Sequence, residues 1–306
     1  VEAFGYWQLF IFYAGYVGLF HLGLNDGLYL EYGGQRRSEI DKRDINSQFI
    51  FSFSIQLAVS AILMIAVCLM PFEANRSFVL FMAAALISVN NAGLYLGYIF
   101  QAMNETKLFS ASVAIESVAL LLGVIGLMLL GEHRFEPYVV LFFLTKVIRL
   151  AYCCCYSKDF LRAGLCSLGT MARHSVKYVS IGIKLMTANL AGSLVLGAAR
   201  FLIDRCWGVE VFSEVSLALS ITSFFMTFIS QASMVLFPAL RQSSGSDMAS
   251  FYRITRDALN ILLPIIYLLY YPAVLLLGLW LPDYAASFIY FSYVLPICLF
   301  DGKMDI

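Results

Sequence analysis

Residues 36–71 read RRSEIDKRDINSQFIFSFSIQLAVSAILMIAVCLMP, and this stretch decides the fold. Its polar half holds four cations, Arg36, Arg37, Lys42 and Arg43. The run 48–71 that follows carries no charge and can cross a bilayer core of about 30 Å as one helix. The same alternation continues in both directions. Apolar runs lie at 5–28, 48–71, 78–101, 109–130, 137–157, 176–203, 210–238, 257–281 and 284–300. Every second gap is cationic: after Arg36–Arg43 come Lys107, then Lys158, Arg162, Arg173 and Lys177, then Arg241, Arg253 and Arg256, then Lys303. The intervening gaps hold only Arg76, Arg134 and Arg205. Short cationic loops stay on the cytoplasmic side. Val1 is therefore predicted outside and Lys303 inside, in an all-α polytopic protein of about nine transmembrane helices.

Composition agrees. Hydrophobic residues make up 61% and charged residues 13%, against roughly 45–50% and 25% in a soluble domain. A net charge of zero gives no basis for nucleic-acid binding. The seven cysteines show no CxxC or Cys/His metal spacing, so they read as small apolar packing residues, with no metal or cofactor implied. Residues 164–169 have P-loop glycine spacing, but Thr170 and Met171 follow where Lys-Ser/Thr is needed. No HExxH or GxSxG occurs, so the chain is not read as an enzyme. It begins at Val1 just before a span and stops soon after the last, which reads as a fragment of a longer transporter-like protein.

The long gap at 31–47 mixes four acids with four bases and reads as a solvated loop. The gap after Ser157 carries Phe160, Leu161, Leu165 and Leu168 among cations, as a short interfacial helix would. It divides the chain into a front bundle at 1–157, a link at 158–177 and a rear bundle at 178–306. Gly23-x-x-x-Gly27 and Gly93-x-x-x-Gly97 have the spacing that lets helix backbones approach.

Ionisable residues inside spans carry the functional signal, since each costs about 2.5–3.5 kcal/mol or more at a helix centre unless paired or wetted. Lys184 lies a third of the way into 176–203. Arg200 and Asp204 form an i, i+4 pair near its outer end. On a straight helix Lys184 and Arg200 are about 160° and about 24 Å apart, so they share a face only if the helix bends. Glu116 is the acid well inside a span, two turns from the inner end of 109–130. His21 and Asn25 share a face at i, i+4 with Asp26 beside them. Asn90, Asn91, Asn189 and Gln231 add polar points that serve as interhelical hydrogen-bonding groups or line a polar interior.

Two stretches carry a family resemblance. GLFHLGLNDGLYLEYGG at 18–34 is similar to the end of the second helix of bacterial oligosaccharide flippases and the charged loop after it. ARFLIDR at 199–205, with FSEVS at 212–216 and LFPALR at 236–241, resembles their helix seven to helix eight region, and FDGKM at 300–304 fits a cytoplasmic end after helix ten. The layout thus resembles Wzx-type flippases and polysaccharide transport proteins of the MOP superfamily. That resemblance implies a MATE-like fold of two six-helix bundles around a V-shaped cavity, of which this chain holds helices two to ten. It implies a multi-pass protein of the bacterial inner membrane that flips undecaprenyl-pyrophosphate-linked sugars to the outer leaflet by alternating access. Membrane lipid, a driving H+ or Na+ gradient and polysaccharide polymerase machinery would be its partners. Lys184 and Arg200, with His21 and Asn25, become candidates for substrate contact through charge-assisted bonds to pyrophosphate. Glu116 and Asp204 become candidates for ion coupling. The alternatives are a multidrug exporter of the same superfamily, whose cavity would favour acids, or a membrane polysaccharide polymerase, which would carry a large outer loop.

Overall fold

A computed structural model describes residues 1–241, 268 and 270–296. It is all-helical, with no strand among the described residues. Five helices are long and apolar enough to cross a membrane: Glu2–His21, Lys42–Leu69, Ala74–Ala102, Thr106–Leu129 and Glu136–Tyr156. The last four coincide with the runs predicted at 48–71, 78–101, 109–130 and 137–157. Leu168–Ala188 and Ser193–Phe224 pass the same test only as a pair, bent at the break between them as in a broken span or a re-entrant loop.

The predicted run 5–28 is not one helix. Helix α1 (Glu2–Tyr16) continues as a 3-10 turn (Val17–His21) and stops at Leu22, and α2 (Leu24–Tyr32) begins afresh. Leu22 (φ 52°) and Gly23 (φ 80°) both lie in the left-handed region, which ends a helix. Hydrophobicity alone did not reveal this break, because Leu22 and Leu24 keep the run apolar.

Helix α3 (Lys42–Leu69) starts where Asp41 accepts hydrogen bonds from the backbone N–H of Arg43 (2.9 Å) and Asp44 (3.3 Å), satisfying donors a helix start leaves unpaired. Helix α4 (Ala74–Ala102) is central: 61% of its span is buried, against 6% for α5 (Thr106–Leu129). It packs on α2, α3, α5 and α6 (Glu136–Tyr156). Helix α5 instead presents Val118, Leu121, Leu122 and Leu129 outward, as a lipid-facing helix does. A four-residue helix α7 (Lys158–Leu161) precedes α8 (Leu168–Arg241). Gly208 (φ 83°) interrupts α8 between the runs predicted at 176–203 and 210–238. Beyond lie α9 (Tyr270–Trp280) and α10 (Ala285–Val294), both shorter than a span. The rest of the run at 257–281, with Pro264, and the end of the run at 284–300 lie outside the described residues.

The chain divides into two compact units, Tyr6–Ala199 and Val1–Gly5 with Arg200–Ile306. The sequence had suggested a link at 158–177. In the structure that stretch packs within the first unit, α7 lying on α3 and α6, and α8 begins at Leu168.

The loops at the cationic end of the first unit are clamped by Arg37. Its guanidinium bonds Asp159 (2.9 and 3.2 Å), Glu105 (3.0 and 3.3 Å) and the Tyr156 carbonyl (2.5 Å), and lies 4.9 Å over the Phe160 ring. Lys42 adds a bond to Asp159 at 3.0 Å. Burial pushes the Asp159 carboxyl up, but the hydrogen bonds and charges of Arg37 and Lys42 outweigh it and hold it below the usual carboxylate range. The loop at 31–47, expected to be merely solvated, thus ties three connections together.

Candidate functional site

Helix α3 is built inside out. Apart from Ile45, its buried residues are polar, and Asp44, Gln48, Ser52, Gln56 and Ser60 recur every fourth position. Each step of four residues turns about 40° past a full turn, so from Asp44 to Ser60 the row winds about 160° around the helix while it rises about 24 Å. Ile55, Leu57, Ile62, Ile65 and Leu69 are exposed. A soluble helix would reverse this pattern; a membrane helix pays for buried polar groups only if other protein groups or water bond them. The sequence reading missed this ladder, although its i+4 recurrence in an apolar run was visible.

At its cationic end the ladder is fully bonded. Asp44, 1% exposed, accepts from the hydroxyls of Tyr32 (2.7 Å) and Tyr178 (2.5 Å) and lies 2.8 Å from His174 Nδ1. Gln48 donates to the Met171 carbonyl (3.1 Å) and accepts from Ser175 (2.5 Å). Met171, Ser175, Tyr178 and Gly182 form the buried stripe of α8 in this unit, so the ladder sews α3 to α8. Burial, then the bonds to Tyr178 and Asp44, pushes the Tyr32 phenol far above its ordinary range, so it stays a donor. Farther along, Gln56 Nε2 bonds Ser52 (2.7 Å), while Gln56 Oε1 and Ser60 Oγ are buried with no partner among the described residues. Such groups are satisfied by water or by a ligand. Asp44→Asn would remove the charge from the hydrogen bonds to Tyr32, Tyr178 and His174, each worth about 1.5–3 kcal/mol with a charged acceptor. We expect it to destabilise the unit by about 3 kcal/mol. A melting temperature in detergent equal to the wild type's would show that the charge contributes nothing.

The candidates for substrate contact and ion coupling are all among the described residues. His21 and Asn25 come together at the break between α1 and α2, and both are buried, with Asp26 beside them. His21 Nδ1 accepts from the Gly23 N–H (3.0 Å), and Nε2 lies 3.8 Å from Asp26 Oδ2. Asn25 Nδ2 reaches the Asn91 carbonyl (3.4 Å), and Asn91 Nδ2 bonds the Val17 carbonyl (2.9 Å), so α4 holds the broken segment by its freed backbone. Asn25 Oδ1 and Asp26 Oδ2 have no hydrogen-bond partner among the described residues.

Glu116 bonds Lys146 Nζ (2.5 Å) and Arg149 Nη1 (3.1 Å), both on α6. The sequence reading passed over these two cations inside the run 137–157, although their i, i+3 spacing puts them on one face. Lys184 is exposed on α8, in line with exposed Lys177, Ser180 and Thr187. Lys177 bonds Glu31 (2.5 Å), and Ser180 and Thr187 bond backbone carbonyls of α8, which leaves Lys184 as the cation of that stripe with no side-chain partner among the described residues. Arg200 belongs to the other unit, where it donates to Ser216 (3.0 Å) over the Phe212 ring at 5.0 Å. Asp204 is buried in that same unit. The side chains of Asn189 and Gln231 lie outside the described residues.

Comparisons with protein-family models, with curated proteins and with solved structures find no match to this chain.

Proposed function

We propose that this chain is a transport protein of the bacterial inner membrane that flips lipid-linked oligosaccharide by alternating access, built on the MATE-like plan of the MOP superfamily. The observation that carries the reading is the polar ladder of α3. It runs about 24 Å through an otherwise apolar helix and ends in buried polar atoms, Gln56 Oε1 and Ser60 Oγ, that have no hydrogen-bond partner among the described residues. A passive membrane scaffold has no use for such groups, which are costly in hydrocarbon. A protein that admits a polar sugar headgroup needs them. Lys184, exposed on the polar stripe of α8, is the group to meet the pyrophosphate, since a diffuse dianionic headgroup is held by charge-assisted bonds.

The test uses the full-length protein in liposomes with a fluorescent undecaprenyl-pyrophosphate oligosaccharide in both leaflets. Faster loss of signal to an outside quencher is expected with protein than without. Lys184→Ala should slow that loss at least about tenfold, the effect of about 1.4 kcal/mol of lost binding, while the protein stays in the membrane. Full transport by Lys184→Ala would remove the lysine from the mechanism. No flipping by the wild type, with or without a proton or sodium gradient, would overturn the flippase reading.

A further inference from the structure

Helices α5 and α6 touch closely at one level and leave a gap at the next. A methyl on Gly123 would press into the Leu141 side chain, whereas one on Gly126, three residues farther on, would meet nothing within 4 Å. The gap is an apolar cleft of about 650 Å³, lined also by Phe78 of α4. Its walls include Leu130, Val140 and Leu144, which are all exposed, so its mouth faces away from the bundle. It extends from the ends of the two helices to Gly123 on α5 and Leu144 on α6, about 10 Å along each. Half of a bilayer core is about 15 Å thick. The cleft therefore has the depth of one leaflet, at the end of the unit opposite the Arg37 clamp.

Water does not fill an apolar cleft, and an empty one forfeits the dispersion contacts of its walls. On the lipid-facing side of a span, the group available to fill it is a lipid chain. The lip of the cleft then specifies the headgroup. Arg134 and Glu136 line it, and the loop before them is held in shape. Arg134 Nη2 donates to Glu136 (2.5 Å), the Arg134 N–H to the Glu132 side chain (3.0 Å) and the Tyr138 hydroxyl to the Glu132 carbonyl (2.9 Å). One of the five guanidinium N–H groups is thus used, and the rest have no partner among the described residues. They suit a lipid phosphate. Two acids stand against one arginine, so the lip is net negative. It repels a headgroup that carries negative charge alone and accepts one in which an ammonium accompanies the phosphate.

We infer that the cleft between α5 and α6 is a binding site for a phospholipid with an amine headgroup. One acyl chain lies along Gly126, Val140 and Leu144; the phosphate meets Arg134 and the ammonium meets Glu132 and Glu136. The site is separate from the polar ladder of α3 and from Lys184. Its lipid is a resident ligand that fills the gap beside Gly126, whatever the protein carries.

Melting of the full-length protein in detergent, with phosphatidylethanolamine or phosphatidylglycerol of the same chains added, tests the site without any transport assay. Phosphatidylethanolamine at about a hundredfold excess over its Kd should raise the melting temperature by about 5 °C. Phosphatidylglycerol should raise it less. Gly126→Leu, which fills the cleft, should abolish the rise. Arg134→Gln should weaken binding about two- to threefold, the scale of an exposed ion pair. Glu132→Gln combined with Glu136→Gln should erase the preference for the amine. An equal rise with both lipids in the wild type, or a rise that persists in Gly126→Leu, would overturn the assignment. If Gly126→Leu does not fold, Val140→Phe narrows the mouth from an exposed position, and an undiminished rise there is equally fatal. No response to either lipid would also overturn it, and would leave the cleft to a second copy or another part of the chain.

Discussion

Gly27→Ala and Gly182→Ala should each melt the Tyr6–Ala199 unit at a far lower temperature than the wild type. A methyl group on Gly27 would overlap the backbone carbonyl of Tyr178, and one on Gly182 would overlap the Gly23 carbonyl and the Gly27 backbone nitrogen. The atoms in the way are main chain on both sides, so no rotamer change relieves the overlap. The two helices must separate, and with them the bonds of Asp44 to Tyr178 and of Gln48 to the α8 backbone. Overpacking a well-packed interior costs about 1–3 kcal/mol and occasionally more; rigid backbone on both sides puts these two at about 3 kcal/mol or above. The contrast is Gly93→Ala, where the nearest atom is 3.8 Å away on Leu150, an ordinary contact. It should leave the melting temperature within a degree or two. Equal stability for all three variants would mean that α2 and α8 do not cross at Gly23, Gly27 and Gly182.

The contrast also shows what spacing alone can and cannot convey. Both GxxxG pairs were legible in the sequence, yet only Gly23 and Gly27 meet another backbone closely. Gly97 instead makes room for side chains: a methyl there would sit 3.3 Å from the Phe109 ring and 3.4 Å from Arg149 Nη2. Four of the spans were legible to within a few residues because hydrophobic length is a local property. The break at Leu22 was not, because a left-handed residue leaves no mark on hydropathy. The partners of Glu116 and Asp44 were not, because they come from α6 and α8, tens of residues away. Lys146 and Arg149 were nonetheless present in the run 137–157, and two cations on one face of an apolar helix call for an acid on a neighbouring one. Lys184 was singled out by its position and is exposed in its unit; Arg200 and Asp204 fall in the second unit, so composition could not say that the sites would be apportioned in this way.

Glu116→Gln should be the most damaging single change of charge in the first unit. Glu116 is the eleventh residue of α5 and Lys146 the eleventh of α6, so the triad lies near mid-helix, away from the ends of both spans. The side chains of Glu116, Lys146 and Arg149 are 14%, 16% and 8% exposed, and Arg149 Nε has no hydrogen-bond partner among the described residues. Removing the acid leaves two enclosed cations facing each other, and breaking a buried pair in this way costs about 3–5 kcal/mol. Lys146→Gln should cost much less, because it leaves Glu116 with Arg149 as a balanced pair. It follows that Glu116→Gln with Lys146→Gln should be more stable than Glu116→Gln alone, a reversal that only direct coupling produces. Melting of the four proteins in one detergent checks all of this. A Glu116→Gln protein as stable as the wild type, yet unresponsive to an imposed ion gradient, would overturn the structural role and return Glu116 to the coupling mechanism. Loss of stability rescued by Lys146→Gln would fix Glu116 as the counter-charge of α6.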